Sequence, residues 1–282
     1  MSGAPAGAWT LPLRAIEDVG QATCWLRFQA PANVEGVHPP TLEPGAFFML
    51  SPATPSGVIF LGRPFSIGAV RDGTWCFLLR VLGRGTAWLR SLGPGALVRV
   101  VGPLGRPFAR PRRATHRFVA GGVGLAPFFH LARVLRDEQP GARIELLYGE
   151  RGEAAHTAFD SAEENLFDRV DRFTDDGSLG TAGTVVAGAE ARLAGGEVGP
   201  GGEVGGDGDV AWYACGPHPM LRALAVLFEA RGVRGAQFSL EERMGCGFGV
   251  CQACVVPSRA APPRWRLLCM EGPVVDPREV AW

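Results

Sequence analysis

Phe118-Val119-Ala120-Gly121-Gly122-Val123-Gly124-Leu125-Ala126-Pro127 decides the fold. Residues 118–120 read as a buried strand. The glycines that follow make a tight turn. Beyond them Leu125, Phe128, Phe129, Ala132 and Leu135 share one face of a helix predicted over 125–138. Strand, glycine turn and helix in this order open a nucleotide-binding βα unit. The glycines let the backbone approach a pyrophosphate, and the helix N-terminus faces it. The match to G-x-G-x-x-G is partial. Gly122-x-Gly124 is followed by Pro127 where a third glycine would stand, and Pro suits a first helical turn. The plain alternative is a tight strand–helix turn with no ligand.

Downstream the same alternation continues. Residues 144–148 read as a strand, 210–214 as another, and 219–230 as a helix. Such βαβ alternation predicts a parallel, doubly wound sheet. Residues 195–208 form a glycine-rich insert, expected as a surface loop. Upstream the pattern differs. Short apolar runs recur at 22–29, 46–50, 58–61, 75–81 and 97–101, punctuated by turns such as Asp72-Gly73 and Gly93-Pro94-Gly95. This spacing predicts a small β-barrel. The Arg/Pro stretch at 106–113 reads as the linker. The expected division is a barrel at 9–110, an α/β domain at 114–240 and a small lobe at 241–282.

That last lobe carries Cys246, Cys251, Cys254 and Cys269. The first three read C-x4-C-x2-C, the spacing by which plant-type ferredoxin loops hold a [2Fe–2S] cluster, with a fourth cysteine from further along. Gly245, Gly247, Gly249 and Ala253 let backbone N–H groups face the sulfurs. Zinc would prefer C-x2-C twice, and only Cys251/Cys254 fits. A disulfide framework belongs to short secreted chains, and this one has 282 residues. The lobe is expected to be held together by its metal.

The whole chain sets wider bounds. It is 46% hydrophobic and 20% charged, enough for a sizeable core. Basic and acidic residues number 28 each, so no global field favours nucleic acid. No apolar run approaches the roughly 20 residues that span a bilayer, and no signal peptide is read. The expected setting is the cytoplasm, away from the membrane. In a reducing compartment, seven cysteines favour metal or redox roles over bridges. Cys24 and Cys76 lie in strand-like runs and read as inert core residues. The five histidines make no catalytic constellation with Asp or Glu.

Three further motifs bear on ligands. Arg63-Pro64-Phe65-Ser66 follows the run at 58–61: Arg can hold a diphosphate bidentately and Ser can bond flavin or phosphate. By itself this tetrapeptide reads as well as a β-turn after an edge strand. Leu78-Leu79-Arg80 lies on a strand, followed by Gly83-Arg84-Gly85-Thr86, where Gly85 and Thr86 open a helix predicted over 86–92. Taken together these point to a flavin site. Tyr213-Ala214-Cys215-Gly216-Pro217 ends a later parallel strand, where such sheets bind ligands. Cys215 could pack against a nicotinamide ring there; a buried thiol before a turn is the equal alternative.

These motifs, in this order, resemble the ferredoxin–NADP reductase superfamily over essentially the whole chain. In that family a β-barrel binds flavin and an α/β domain binds the nicotinamide nucleotide. The lobe is more restrictive. Glu241-Glu242-Arg243-Met244-Gly245-Cys246-Gly247 through Cys254, then Leu268-Cys269-Met270-Glu271-Gly272-Pro273-Val274, resembles electron-transfer subunits of type B dihydroorotate dehydrogenases, as do the 14 residues between Cys254 and Cys269.

The resemblance implies FAD in the barrel, held by Arg63, Pro64, Phe65, Ser66, Leu78, Leu79, Arg80, Gly85 and Thr86. It implies NAD at Gly121, Gly122, Gly124 and Pro127 and at Cys215, Gly216 and Pro217, and four cysteine ligands on one [2Fe–2S] cluster. It implies a separate catalytic subunit carrying FMN, in a heterotetramer that serves pyrimidine (UMP) biosynthesis. Electrons would pass from the partner's FMN through the cluster and FAD to NAD⁺, with no catalytic acid or base in this chain. Similar lobes occur in flavin subunits of sulfhydrogenases and ferredoxin-dependent transhydrogenases, which is the alternative. Glu150 and Arg151 after the strand at 144–148 have opposite signs and leave NAD against NADP to the resemblance, which favours NAD.

Overall fold

Alternating side chains in the first hundred residues can bury only one face of each strand, and the chain answers by curling a sheet around that face. The computed structural model describes residues 7–32, 39–54, 59–195, 209–259 and 265–282. Apart from Gly195, the glycine-rich insert lies outside the described residues. β1 (Gly7–Gly20), β2 (Thr23–Gln29), β3 (Phe47–Pro52), β4 (Arg63–Ser66), β5 (Ala69–Arg71) and β6 (Thr74–Arg80) come first. Helix α1 (Arg84–Arg90) and β7 (Leu97–Leu104) complete this part. The strands form one antiparallel sheet in the order β4-β3-β7-β1-β2-β6-β5. Its two ends meet through Ile67 N, which donates to Ala46 O, and Gly68 N, which donates to Cys76 O. Leu11, Leu13, Leu26, Phe28, Phe48, Leu50, Phe77, Leu79 and Val100 fill the inside.

Two expectations change here. β1 was not anticipated from the sequence, because its alternation is interrupted by register shifts after Leu13 and Asp18. Of the apolar run expected at 58–61, residue 58 lies outside the described residues and 59–61 are not a strand; the Arg63–Ser66 motif itself is, at the sheet edge beside β3. Pro64 is tolerated there because an edge strand leaves one row of N–H groups unpaired.

The second half is a sheet of mostly parallel strands. β8 (Thr115–Gly121) leads through a 3-10 turn at Gly122–Leu125 into α2 (Ala126–Glu138). β9 (Arg143–Glu150), α3 (Ser161–Glu164), β10 (Arg169–Thr174), β11 (Thr181–Ala182) and α4 (Val185–Ala194) follow. Next come β12 (Val210–Cys215), α5 (His218–Ala230) and β13 (Gln237–Ser239). The order is β11-β10-β9-β8-β12-β13 with parallel pairing throughout. Every residue of β8 is buried, as a central strand covered on both faces requires. The strand order reverses between β9, β8 and β12, the position at which open sheets of this kind bind ligands.

The cysteine lobe adds a short hairpin, β14 (Val255–Pro257) with β15 (Trp265–Leu267), then α6 (Leu268–Glu271) and β16 (Val274–Val275). β16 pairs antiparallel with β13 and so becomes the last strand of the α/β sheet. The lobe is therefore sewn to its neighbour by backbone hydrogen bonds.

Barrel and α/β sheet share one apolar core. Trp25, Ala69, Cys76 and Leu78 from the barrel pack with Phe128, Phe129 and Tyr148, and the Trp25 and Phe129 rings lie 5.8 Å apart. The stretch at 106–113 is no loose linker. Phe108 is buried against Phe128 and Tyr213, and Arg110 pairs with both Glu43 and Glu138. Phe129→Ala removes a buried ring from the shared core and is expected to cost about 3–5 kcal/mol, read as a lower urea midpoint.

Candidate functional site

A cavity of about 890 Å³ opens between barrel and α/β sheet, within the range of cofactor sites. Arg63, Pro64, Phe65 and Ser66 all line it, with Leu78, Arg80 and Thr86 from the next strand and helix. Strand alternation turns Leu79, placed between Leu78 and Arg80, into the barrel core, so its side chain does not reach the cavity. Gly85 is buried under Arg63; a Cβ there would lie 2.6 Å from the Arg63 Nε. The helix begins two residues earlier than expected, at Arg84, and the Thr86 hydroxyl accepts from Leu82 N and Gly83 N. From the other side come Val123, Ala126, Pro127 and Cys215. Pro127, expected beside the nucleotide, thus faces this cavity, because the 3-10 turn carries the chain across before α2 begins. Burial, aided by nearby Glu241, pushes the Cys215 thiol well above its ordinary range against a hydrogen bond from Ser239, so it stays neutral.

A second cleft, about 830 Å³, lies at the carboxyl ends of β8, β9 and β10. Gly121, Gly122, Glu150, Arg151, Asp175, Thr184, Pro217 and Met220 line it. Gly216 faces a smaller adjoining hollow of about 250 Å³ with His218 and Trp282. Gly124 lines none of these three hollows. It lies flat on the Cys215 carbonyl, so that the two turns touch backbone to backbone. Arg80 is shared by both large cavities. Its Nε donates to Thr23 within the barrel, and its terminal nitrogen reaches across the domain boundary to Glu150 at 2.7 Å, the Ala155 carbonyl at 3.0 Å and the Thr157 hydroxyl at 3.2 Å. Tyr148 donates its hydroxyl to the same Glu150 oxygen.

In the lobe, backbone N–H groups point at sulfur. Phe248 N and Cys251 N donate to Cys246 Sγ at 3.5 and 3.4 Å, Gly249 N to Cys269 Sγ at 3.2 Å, and Cys269 N to Cys254 Sγ at 3.5 Å. Gly249 does so from φ +82°, which a side chain would resist. The cysteines fall into an outer pair, Cys246 and exposed Cys251, and a buried pair, Cys254 and Cys269. Burial opposes ionisation of Cys246, yet the N–H groups of Cys251 and Phe248 prevail and hold it at about 6. Cys269 is pushed up to about 12 by burial and by Cys254 beside it. Among the described residues no three ligand-type side chains converge as a single-ion site. Two thiol pairs with N–H donors suit two irons holding two thiolates each, so the donor set fits a [2Fe–2S] group.

Sequence reasoning did not anticipate Thr23, Asp175 and Thr184 in the second cleft, or Glu241 and Met244 in the first cavity. Desolvation at the cavity wall raises the Glu241 carboxyl, against the pull of Arg80, although the residue stays exposed. Nothing in the local pattern of Glu241-Glu242-Arg243-Met244 marks it as cavity wall. Its place follows from β13 lying beside β12.

Residues 241–281 match the family model for the iron–sulfur cluster binding domain of dihydroorotate dehydrogenase B, and 118–225 that for an oxidoreductase NAD-binding domain. The chain is 37% identical over 243 residues to the dihydroorotate dehydrogenase B (NAD⁺) electron transfer subunit of Bacillus caldolyticus, covering 84% of this chain and 86% of that one. It is 33% identical to the homologue in Aquifex aeolicus, covering 85% and 86%. An NADH-dependent reduced ferredoxin–NADP oxidoreductase shares the fold at TM-score 0.76 and 21% identity, covering 98% and 91%. The ferredoxin reductase of carbazole 1,9a-dioxygenase does so at 0.65 and 22%, covering 83% and 68%.

Fold and site together define an NAD-linked flavin and iron–sulfur oxidoreductase. Within that class, the chain belongs to the family of dihydroorotate dehydrogenase B electron transfer subunits. Gly124→Ala would force the glycine turn off the Cys215 carbonyl. It is expected to lower the melting temperature and to weaken ADP-ribose binding roughly tenfold, about 1.4 kcal/mol, in a calorimetric titration.

Proposed function

We propose that this chain relays electrons from the FMN of a dihydroorotate dehydrogenase catalytic subunit to NAD⁺, through its own cluster and FAD, in pyrimidine biosynthesis. The observation that carries the reading is the direct abutment of cysteine lobe and flavin cavity: Glu241, Glu242, Arg243, Met244 and Pro273 line the same cavity as Arg63 and Ser66. We divide the chain into a flavin barrel at 9–110, a nucleotide domain at 114–240 and a cluster lobe at 241–282.

In this reading Arg63 and Ser66 supply the charged and polar contacts to FAD, and Phe65, Leu78 and Cys215 the apolar walls. When bound, the flavin supplies the exchange between single electrons and hydride. The neutral Cys215 excludes water beside the ring without adding charge. Gly121, Gly122 and Pro217 shape the nucleotide cleft. Arg80, clamped by Glu150, presents a fixed positive group at the junction of the two cavities. The relatives named for NAD⁺ favour NAD; the cleft itself carries both signs, with Asp175 and Arg151 in its lining and Glu150 spent on Arg80. Cys246, Cys251, Cys254 and Cys269 hold the cluster.

Around exposed Cys251 the surface is apolar. Val250 is 76% exposed, Phe60 89%, and Leu61, Phe248 and Met270 are also exposed. Leu61 reaches towards Gly245 and Met270 covers Gly249, which sets both against the loop that carries Phe248 and Val250. That face suits a protein partner, and we place the catalytic subunit there, in a heterotetramer of two copies each in the cytoplasm. No helix among the described residues is long and apolar enough to cross a membrane.

The purified complex given dihydroorotate and NAD⁺ is expected to form NADH, followed by absorbance. A fully loaded complex that forms none overturns the reading, and co-purification with a hydrogenase or a ferredoxin in place of an FMN protein selects the alternative. Cys251→Ser is expected to abolish this flow while NADH still bleaches the flavin.

A further inference from the structure

We propose that Met244 is the partition across which electrons pass between the flavin cavity and the cluster, and that its packed side chain sets the speed of that crossing. The proposal rests on the relay reading above. Three observations carry it. Met244 lines the flavin cavity, whereas none of the four lobe cysteines does. It is only 8% exposed and belongs to the same apolar core as Phe47, Met49, Leu268 and the buried pair Cys254 and Cys269. It also stands two residues before Cys246, with only Gly245 between. Gly245 adds no bulk, and a Cβ there would already lie 3.0 Å from Cys251 Sγ. Phe47 and Leu240 also line the cavity and share this core, and Leu61 reaches towards Gly245, but Leu61 is largely exposed and none of the three stands as close in sequence to a cluster cysteine as Met244 does.

A thioether is flexible and polarizable, and fills an irregular gap between two rigid walls. Electron transfer through contacting atoms falls off more slowly with distance than transfer across a void. Truncating a buried Met leaves a cavity that the surroundings close only in part. Here that cavity would open between donor and acceptor. The protein's contribution to such a step is position and surroundings, not chemistry of its own.

The crossing is most simply watched in reverse. NADH breaks its C–H bond and delivers two electrons and one proton to the flavin as hydride. One electron then crosses at Met244 and reduces one ferric iron of the cluster to ferrous, while the other stays on the flavin. The test mixes the anaerobic holo-protein with NADH. It follows flavin bleaching by absorbance and cluster reduction by freeze-quench EPR, and measures both midpoint potentials at equilibrium. In Met244→Ala, cluster reduction slows several-fold more than flavin bleaching does, and both potentials stay put. Met244→Leu, close in volume, restores the wild-type crossing. An Ala variant whose cluster is reduced at wild-type speed overturns the proposal. So does a slowing that tracks a shifted potential, or a Leu variant as slow as Ala. If the Ala variant loses its iron and sulfide, Met244→Val replaces it, and wild-type speed in Val overturns the proposal. A wild-type cluster that NADH never reduces sinks the relay reading itself, a result distinct from all of these.

Discussion

The structure depends on a contact made without side chains. β8 and β12 run side by side, and their two terminal turns meet where Gly124 lies on the Cys215 carbonyl. Backbone against backbone is the closest approach two turns can make, and only glycine permits it. That closeness sets the layout of both sites. Gly121 and Gly122 are left facing the nucleotide cleft, and Val123, Pro127 and Cys215 face the flavin cavity. One turn thereby forms part of the wall of each cavity, which in the proposed reading brings flavin and nucleotide close together.

Around that contact, charge and packing fix the two domains relative to each other. Arg80 leaves the barrel and is held by Glu150, the Ala155 carbonyl and Thr157 of the α/β domain. Arg71 does the same with Glu163 at 3.0 Å. Ala158 N donates to Val19 O across the same seam, and the Trp25–Phe129 pair lies in the shared core beneath. A hydride must find its donor and acceptor within contact distance, so a seam with several independent fastenings suits the task. The lobe is tied in by a different device, the pairing of β16 with β13.

Much of this was legible locally. A glycine turn between an apolar strand and an amphipathic helix has few readings, and C-x4-C-x2-C has fewer still. The Arg63–Ser66 motif, which lines the first cavity, could not be read as a strand, because Pro64 argues against a strand unless its neighbours are known. β1 escaped because its bulges break the alternation on which the pattern depends. Leu79 and Arg80 show the limit most plainly. Both lie in the expected motif, yet one turns into the core and the other across to Glu150. The side of a strand that a residue takes is set by register, and its partner by the domain that packs above.

The sequence by itself determined which chemistries the chain can carry: four thiols at cluster spacing, glycines at a nucleotide turn, and an arginine and a serine beside a strand. Residue type and short spacing suffice for that, because ligand chemistry and local backbone freedom act over a few residues. The tertiary structure alone decided how these pieces face one another. Glu241 and Met244 became walls of a cavity otherwise built from residues as distant as Arg63, and Pro127 turned from one cavity to the other. Those outcomes depend on strand order and on packing between domains, long-range contacts that no local pattern encodes.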